Sequence, residues 1–472
     1  MSWKKLLSLN PIEFLDQQLV ICKGGIPKGL IGSLYRNTVS TKKRRNGYPG
    51  HLFDGDGVIL KIEFKDEKAI ASYKHVQSEG YLNEQQRDEY IYAGLGRTYS
   101  GNFLTKIFNS FSFKNPANTS VLPLKNGELL ALWEGGLPTS LKKLNLATIG
   151  LTNGNSLQNG DTFSAHPKID SKSGMIYNVG LTHGMNQMVN VYEMNQSGQI
   201  LRRNSAQVNG RRFMLHDFIL AGNYLIAIMY SQFVQDFHKI LLGRKALGQD
   251  VLNDESQGIQ VFVFDKSKNL QLIANKINYF KFNVWHYSNG YVDQNGNVIS
   301  QAITYPTFEL YESFFIENLI KNGLIDSKSS YDRLTINPLT GEILEKKQIL
   351  NDYIEFPIVH DDDVGSQQEI TYALIQQKKD DWFNGIIRID EINPEKSLRR
   401  YYQSEQYLNE AIFVQDNNKS KGEGWLIFVL FDGTLDKSFI EIIDASSLQS
   451  VCLLQLPQLI APSFHGRFEY QI

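Results

Sequence analysis

Four of the nine histidines interrupt apolar or aromatic segments of β-type sequence. They are His166 in FSAHPKID, His216 in FMLHDFIL, His286 in NVWHYSNGY and His465 in SFHGRF. An imidazole buried in such surroundings needs a hydrogen-bond partner or a metal ion, because an unpaired polar group is costly in an apolar interior. The remaining histidines lie in turn-like or polar contexts and predict no special role; they are His51, His75, His183, His238 and His360.

The four histidines are separated along the chain by 50, 70 and 179 residues, which excludes a compact metal-binding loop. Strands from different parts of one closed sheet structure could bring residues so far apart to a common axis. The spacing alone leaves two interpretations open. The histidines share one metal ion, or each is a core histidine satisfied separately.

The surrounding sequence predicts an all-β architecture. Short runs of β-branched and aromatic residues alternate with turns rich in Asp, Asn, Ser and Gly. This hairpin pattern recurs at IDSKSGMIYN, YEMNQSGQILRR, VFDKSKNLQLI, YVDQNGNVISQ, TINPLTGEILEK and IIDASSLQSVCLL. No polar linker divides the chain, so we expect a single domain over residues 1–472. A β-propeller of about six to eight four-stranded blades accommodates this length.

Composition excludes several classes of protein. Lysines and arginines number 48 against 50 acidic residues, which argues against a nucleic-acid partner. The two cysteines, Cys22 and Cys452, form no CxxC pair and indicate a reducing compartment. The N-terminal segment has no continuous apolar stretch typical of a signal peptide, and the run WLIFVLF at 425–431 is too short to cross a bilayer. We therefore expect a cytoplasmic protein.

Some segments carry apolar surface that a core need not explain. In SQFVQDFHKILLGRKAL, one face of a predicted helix presents Phe233, Phe237, Ile240 and Leu241. The segment LTKIFNSFSF at 104–113 is similarly aromatic, and YESFFIENLIKNGL is a third candidate. These patches fit either packing against the propeller or shallow contact with a membrane surface.

Six motifs, in order along the chain, resemble those of the carotenoid cleavage oxygenases. GSLYRN at 32–37 and HLFDGDGVI at 51–59 resemble the entry motifs of that family. AHPKID, LHDF, WHYSNGY and FHGRF resemble its four iron-binding histidine motifs. The resemblance implies a seven-bladed β-propeller whose few helical and loop insertions form a dome over an axial metal site. It also implies Fe(II) as the cofactor, with His166, His216, His286 and His465 as its ligands.

The resemblance further implies three glutamates that accept hydrogen bonds from the ligand imidazoles. They are Glu134 in LLALWEGG, Glu355 in YIEFP and Glu410 in NEAIFV. In the pairing of the family, Glu134 holds His216, Glu355 holds His286 and Glu410 holds His465. His166 is then left to water or another partner. Such hydrogen bonds fix the tautomer and orientation of each ligand.

The activity implied by the resemblance is cleavage of a conjugated carbon–carbon double bond by O₂, with oxygen placed on both new carbonyl ends. Four histidine ligands leave two positions of a six-coordinate Fe(II) open. Thr119 in NPANTSVL corresponds to a threonine that crowds one of them. Trp133, directly before the first glutamate, resembles the branch that cleaves apocarotenoids, since the stilbene-cleaving branch has lysine there. We therefore predict cleavage of an apocarotenoid, near its central 15,15′ bond, to retinal-type aldehydes.

Two alternatives stay open. The first is a carotenoid oxygenase of the same fold that cleaves a stilbene or a different polyene bond, and Trp133 speaks against the stilbene. The second is a propeller that binds polyenes or partner proteins without chemistry, which a missing histidine would favour. An apolar polyene substrate also predicts that residues near 104–113 and 233–242 form a monotopic contact with a membrane, through which the substrate enters.

Overall fold

The computed structural model describes residues 1–158, 160–184, 186–324, 328–379 and 381–471. Their strands form seven antiparallel sheets and a separate two-stranded ribbon. Inner strands of most neighbouring sheets contact one another, as in a ring of blades. The predicted β-propeller is therefore confirmed, with seven blades.

The blades are numbered in the order in which they follow one another around the axis. Blade 1 contains β1 (Phe14–Gln18), β3 (Gly32–Ser40), β4 (Asp56–Lys65), β5 (Lys68–His75) and β33 (Ser463–Tyr470). Blade 2 contains β6 (Ser120–Pro123), β7 (Glu128–Leu132), β8 (Thr139–Lys142) and β9 (Thr148–Leu151). Blade 3 contains β10 (Lys168–Ile169), β11 (Ile176–Thr182), β12 (Met188–Met194) and β13 (Ile200–Gln207). Blade 4 contains β14 (Phe218–Ala221), β15 (Tyr224–Met229), β18 (Ile259–Asp265) and β19 (Gln271–Asn278).

The remaining strands complete the ring. Blade 5 contains β20 (Asn283–Val292), β21 (Val298–Tyr305), β22 (Ser330–Asn337) and β23 (Glu342–Leu350). Blade 6 contains β24 (Ile354–Ile358), β25 (Ile370–Ile375), β26 (Gly385–Asp390) and β27 (Leu398–Tyr401). Blade 7 contains β2 (Val20–Gly24), β28 (Gln406–Leu408), β29 (Ile412–Gln415), β30 (Gly424–Asp432), β31 (Lys437–Asp444) and β32 (Ser450–Gln455). The ribbon pairs β16 (Gln232–Val234) with β17 (Val251–Asn253).

Helices are short and lie between the strands. The α-helices of the described residues are α1 (Glu79–Arg87), α2 (Phe103–Phe108), α3 (Phe237–Leu241), α4 (Leu310–Ser313) and α5 (Ile316–Asn322). The 3-10 helices span Ser2–Ser8, Leu52–Asp54, Leu247–Asp250, Glu255–Gln257, Lys266–Lys268, Asp361–Asp363 and Pro394–Lys396. Across the described part of the chain, every helix is too short or too polar to span a bilayer.

The six predicted hairpins are confirmed. They join β10 to β11, β12 to β13, β18 to β19, β20 to β21, β22 to β23 and β31 to β32. In the β20–β21 turn, the Asp293 carboxylate accepts hydrogen bonds from the backbone N–H groups of Asn295 and Asn297 at 2.9 and 2.8 Å. Gly296 has a φ of +81°, a conformation that glycine adopts without steric cost. Local turn chemistry therefore sets the register of this hairpin.

Strands from distant parts of the sequence close the ring. β33 pairs with β3 in blade 1, and β2 pairs with β32 in blade 7. Apolar side chains also pack between these two blades, including Leu60 and Ile62 of blade 1 and Ile427 and Ile440 of blade 7. The ladder hydrogen bonds anchor a C-terminal strand in blade 1 and an N-terminal strand in blade 7. The apolar packing joins the two blades directly.

The structure corrects the predicted helix that was to contain Phe233. Phe233 lies in β16, whose backbone groups pair with β17, and the helix begins only at Phe237. Ile240 is 2% exposed, whereas Leu241 is 43% exposed. The four residues therefore do not form one exposed apolar face, because the ribbon uses the backbone groups that the longer helix would have needed.

The third apolar segment, YESFFIENLIKNGL, packs in the interior and does not form a surface patch. In α4 and α5, Tyr311, Ile316 and Leu319 are buried. The α5 residues pack with Trp3 and Leu7 of the N-terminal 3-10 helix. This apolar surface therefore belongs to the core.

Candidate metal centre

Each blade contributes one of the seven histidines and glutamates predicted for the site. Two histidines lie within inner strands, and the other two lie two residues before an inner strand begins. Glu355 lies in β24, Glu134 follows β7, and Glu410 occupies the gap between β28 and β29. In blade order, the residues are His465, Glu134, His166, His216, His286, Glu355 and Glu410. The ring of blades thus brings together residues that are far apart in sequence.

The four histidines converge at the propeller axis. One ring nitrogen from each lies within 4.8 Å of those of the other three. The Nε2 atoms of His166 and His216 are 3.1 Å apart, and those of His216 and His286 are 3.3 Å apart. Of the two interpretations left open by the spacing, the structure therefore favours a shared site.

Three glutamates contact the outward-facing nitrogens of these imidazoles. His216 Nδ1 bonds to the Glu134 carboxylate, His286 Nδ1 lies 2.5 Å from Glu355 Oε2, and His465 Nδ1 lies 2.8 Å from Glu410 Oε1. An ionised carboxylate only accepts hydrogen bonds, so with each glutamate ionised Nδ1 carries the proton, and in the neutral imidazole the Nε2 lone pair faces the axis. Within the described residues, the Nδ1 atom of His166 has no such carboxylate partner.

This arrangement fits a bound metal cation. When His216 and His286 are both neutral with the proton on Nδ1, their Nε2 lone pairs face each other at 3.3 Å with no proton between them. Two ligands bound at right angles, each at about 2.1 Å from a metal, lie about 3 Å apart. A cation between the imidazoles would replace repulsion between lone pairs with coordination. The donor set is therefore suited to a divalent transition metal that accepts imidazole.

Burial keeps two histidines of this cluster ready to coordinate a metal. Burial lowers the pKa of His166 and His286 well below the ordinary histidine value, and the neighbouring imidazoles lower it further. Burial also acts to lower the pKa of His216, but the Glu134 charge and hydrogen bond outweigh it, so that this pKa is raised. Neutral imidazoles are the form that binds metals.

Glu355 is itself positioned by two neighbours. Burial raises the pKa of the Glu355 carboxyl to about 7, against the opposing hydrogen bonds from the Phe356 N–H and the Tyr305 hydroxyl. The Tyr305 hydroxyl donates to Glu355 Oε1 at 3.1 Å. Phe356 has a φ of +54°, a left-handed conformation that costs a bulky residue about 1–3 kcal/mol. This conformation places its ring 5.4 Å from the rings of both His286 and His465.

Arg36 joins Glu410 to the strand that carries His465. Its side chain is fully buried, and its Nη1 donates to the Glu410 carbonyl oxygen at 2.6 Å. Its Nε donates to Ser463 Oγ at 3.0 Å, and Nη2 lies 3.9 Å from Glu410 Oε2. Arg36 therefore fixes β3, β33 and the Glu410 segment relative to one another.

Two cavities meet beside the histidines. The larger, called the large cavity, has a volume of about 740 Å³ and extends from Trp133 to Phe111 and Phe237. The smaller, called the histidine pocket, measures about 100 Å³ and is lined by His216, His286 and His465, with Thr119 also in its wall. The two share the walls formed by Phe53, Leu95, Trp133 and Glu134.

Trp133 and Thr119 lie where these cavities meet the histidines. A side chain on Gly135 would approach the Trp133 ring to 2.6 Å, so glycine here leaves space for the indole. The Thr119 carbonyl oxygen accepts a hydrogen bond from the His465 backbone N–H at 3.2 Å, and its hydroxyl donates to Asn118 Oδ1 at 3.1 Å. Both residues can therefore contact a molecule that extends from the large cavity to the histidines.

The sequence did not predict several residues that lie around the site. Arg36, Tyr305 and Trp285 are neighbours of the four histidines or of their glutamates, and Trp285 lies edge-on to His216 at 5.1 Å. Arg36 lies in GSLYRN and Trp285 directly precedes His286, so their positions in quoted motifs were the available signal.

His51 lies in surroundings that differ from its polar sequence context. It is fully buried and stacks on Tyr311 at 4.8 Å, because its backbone pairs with Phe315 between α4 and α5. Burial lowers its pKa to about 3. It lies outside the four-histidine cluster.

Comparison with known proteins identifies the family. The family model described as "RPE65: Retinal pigment epithelial membrane protein" matches residues 10–469. The chain is 28% identical to apocarotenoid-15,15′-oxygenase of Synechocystis, with 98% of this chain and 95% of the relative covered. It is 23% identical to the carotenoid 9,10(9′,10′)-cleavage dioxygenase of Crocus sativus, with 94% and 85% covered.

Solved structures agree with this assignment. Cobalt-substituted Synechocystis apocarotenoid oxygenase has a TM-score of 0.88 and 26% identity to this chain, with 100% of this chain and 98% of that chain covered. A chimera of that oxygenase with RPE65 has a TM-score of 0.89 at 25% identity and the same coverage. With its seven blades and its cluster of four histidines, the chain belongs to the RPE65 family of carotenoid cleavage oxygenases.

Proposed function

We propose that this protein is a non-haem Fe(II) dioxygenase that cleaves a conjugated double bond of an apocarotenoid, with the 15,15′ bond as its target. The observation that carries the proposal is the convergence of four histidines, three of them oriented by glutamates. The names of the relatives from Synechocystis and Crocus supply the substrate class. In the reaction, the carbon–carbon double bond breaks and each carbon takes one oxygen atom of O₂, so two carbonyl products form without an external reductant.

His166, His216, His286 and His465 would hold the iron. Ferrous iron held there would supply the redox chemistry that activates dioxygen. The residues Glu134, Glu355 and Glu410 keep a proton on Nδ1 of their histidines, so that Nε2 stays available. Their carboxylates also offset the positive charge of the ion in a buried site.

The apolar walls orient the second substrate. Trp133 and Phe53 belong to both cavities, so a rod-shaped polyene that passes from the large cavity to the histidines passes beside them. Thr119 lies in the wall of the histidine pocket and limits the space beside the histidines. Holding one double bond at a fixed position raises the reaction rate, and a displacement of about 1 Å can lower that rate about 100-fold. Trp133 stands where the stilbene-cleaving branch has a lysine, and this supports an apolar polyene as the substrate over a phenolate.

The proposed reaction can be tested directly. The purified protein is loaded with Fe(II) without oxygen, and O₂ is added with either a series of β-apocarotenals or a hydroxystilbene. We expect loss of the long-wavelength polyene absorbance and two carbonyl products whose masses identify the 15,15′ bond. Turnover of the stilbene alone would favour the stilbene alternative. Full iron occupancy without turnover of either would contradict the proposal and favour a binding role.

We also propose a monotopic membrane contact around the outer end of the large cavity. In and beside α2, Phe103, Leu104, Phe108 and Phe111 are 54%, 61%, 82% and 44% exposed. The Phe111 ring lies 5.4 Å from that of Phe237, and both rings line the large cavity. An apolar surface next to the cavity would let a lipid-dissolved polyene enter without crossing water.

The membrane contact predicts a defect in liposome binding. Inserting an exposed phenylalanine into lipid contributes about 1.5–3 kcal/mol, so we expect Phe108→Asp to lower the membrane-bound fraction roughly tenfold or more. Flotation with liposomes measures this fraction. Leu339→Asp is the matched control, because Leu339 is 71% exposed in the β22–β23 turn, outside α2. Equal flotation of Phe108→Asp and wild type would contradict this contact.

A further inference from the structure

The histidine pocket has a wall that the large cavity does not reach. Leu324, Trp382 and Phe383 line the histidine pocket but not the large cavity. Leu324 and Trp382 are 8% and 9% exposed. This set of three residues is called the distal wall. The histidine pocket is also much smaller than the large cavity, at about 100 Å³ against about 740 Å³.

A row of aromatic rings connects the histidines to the distal wall. Phe356 lies 5.4 Å from both His286 and His465, and Phe383 lies 5.7 Å from Phe356 in an edge-on arrangement. Trp382 follows at 6.2 Å from Phe383. The position of the Trp382 indole is thus tied by packing to the rings beside the candidate metal ligands.

The N-terminal 3-10 helix supports Trp382 from behind. The Trp3 ring lies 5.2 Å from that of Trp382, and Trp3 is 2% exposed. The Trp3 indole N–H donates to Asp381 Oδ1 at 3.0 Å, and the Trp382 backbone N–H donates to the same oxygen at 2.9 Å. A further hydrogen bond, from the Ser2 N–H to Glu405 Oε2 at 2.6 Å, holds the start of this helix. Trp382 therefore has little freedom to move away from a ligand.

We propose that Trp382, backed by Trp3, limits how far a polyene extends past the histidines and so determines which double bond is cleaved. This inference rests on the proposed polyene-cleaving function. A conjugated chain is stiff, so stopping its leading end also fixes the bond that lies at the reacting centre. The longer or bulkier part of the substrate stays in the large cavity, and a short, slender part occupies the space before Trp382. Trp382 is thus a residue that determines specificity, not a catalytic residue.

The test is the identity of the products after the distal wall is shortened. Fe(II)-loaded wild type, Trp382→Phe and Trp382→Ala are given the same series of apocarotenals, and the aldehydes are identified by mass. We expect the Trp382 variants to form a second pair of products, cut one or more double bonds further from the leading end. The ratio of this pair to the wild-type pair should rise at least tenfold in Trp382→Ala and less in Trp382→Phe. Trp3→Ala should give the same second pair, because it removes the support for the indole.

A matched tryptophan provides the control. Trp425 is 6% exposed, lies in β30 and lines neither cavity, so Trp425→Phe should leave the product pair unchanged. Trp382→Phe keeps an aromatic ring and carries the test if Trp382→Ala does not fold. Polyene turnover with one unchanged product pair in Trp382→Phe and Trp3→Ala would overturn the inference and leave the proposed function intact. Absence of polyene turnover by the wild type would overturn both.

Discussion

The His465→Ala variant is expected to lose its bound metal and its polyene-cleaving activity together. Removing His465 takes away one of four converging imidazoles and leaves Glu410 without its histidine partner. Loss of a hydrogen-bond partner of a metal ligand typically lowers metal affinity about 10- to 100-fold, and loss of the ligand itself should cost more. We therefore expect at least a 100-fold weaker affinity for Fe(II).

Metal content after dialysis, together with the visible absorption of the Co(II)-loaded protein, measures this loss independently of activity. His360→Ala is the matched control, because the His360 side chain is 11% exposed against 10% for His465 and contacts Gln415, outside the cluster. We expect that control to bind metal normally. Wild-type metal content and an unchanged Co(II) spectrum in His465→Ala would contradict the assignment of this ligand.

The Arg36→Ala variant should be destabilised by about 3–5 kcal/mol, the usual cost of removing one partner of a buried ion pair. The change would remove the cation beside the Glu410 carboxylate, and would leave the Glu410 carbonyl oxygen and Ser463 without the buried donor that Arg36 supplies. It would also loosen the contact between β3 and β33, and with it the position of His465. A reduced metal affinity should accompany the loss of stability.

Urea unfolding followed by tryptophan fluorescence measures the free energy of unfolding of this variant. The control is Arg45→Ala, because the Arg45 side chain is 71% exposed and its pairing with Glu89 lies at the surface. Exposed pairs of this kind contribute about 0–1 kcal/mol. Equal destabilisation by the two substitutions would show that the buried network around Arg36 is not important for stability.

The blades could be predicted because their information is local. A turn such as the one at Asp293–Asn297 defines a hairpin through its own side chains, and an alternating apolar pattern marks the flanking strands. Seven blades followed from the family resemblance, since hairpin signals alone gave only a range. The identity and order of the four histidine segments also followed from local motifs.

Other features depended on contacts between distant residues and could not be predicted. A charged residue such as Arg36 is expected at the surface from sequence alone. Its burial is explained only by its contacts with Glu410 and Ser463, which are distant in the sequence. Likewise, the apolar spacing after Phe233 suits a helix, but pairing with β17 made that segment a strand. Tertiary contacts outweighed local propensity in both cases.

The spread of the site over all seven blades has a consequence for biosynthesis. β3 is translated early, but its partner β33, which carries His465, is translated only after the other six blades. On the ribosome, the inner position of blade 1 therefore stays vacant while the rest of the ring is being made. The full set of four histidines exists only in the finished ring, so the metal proposed for this site would bind the folded protein and not the nascent chain.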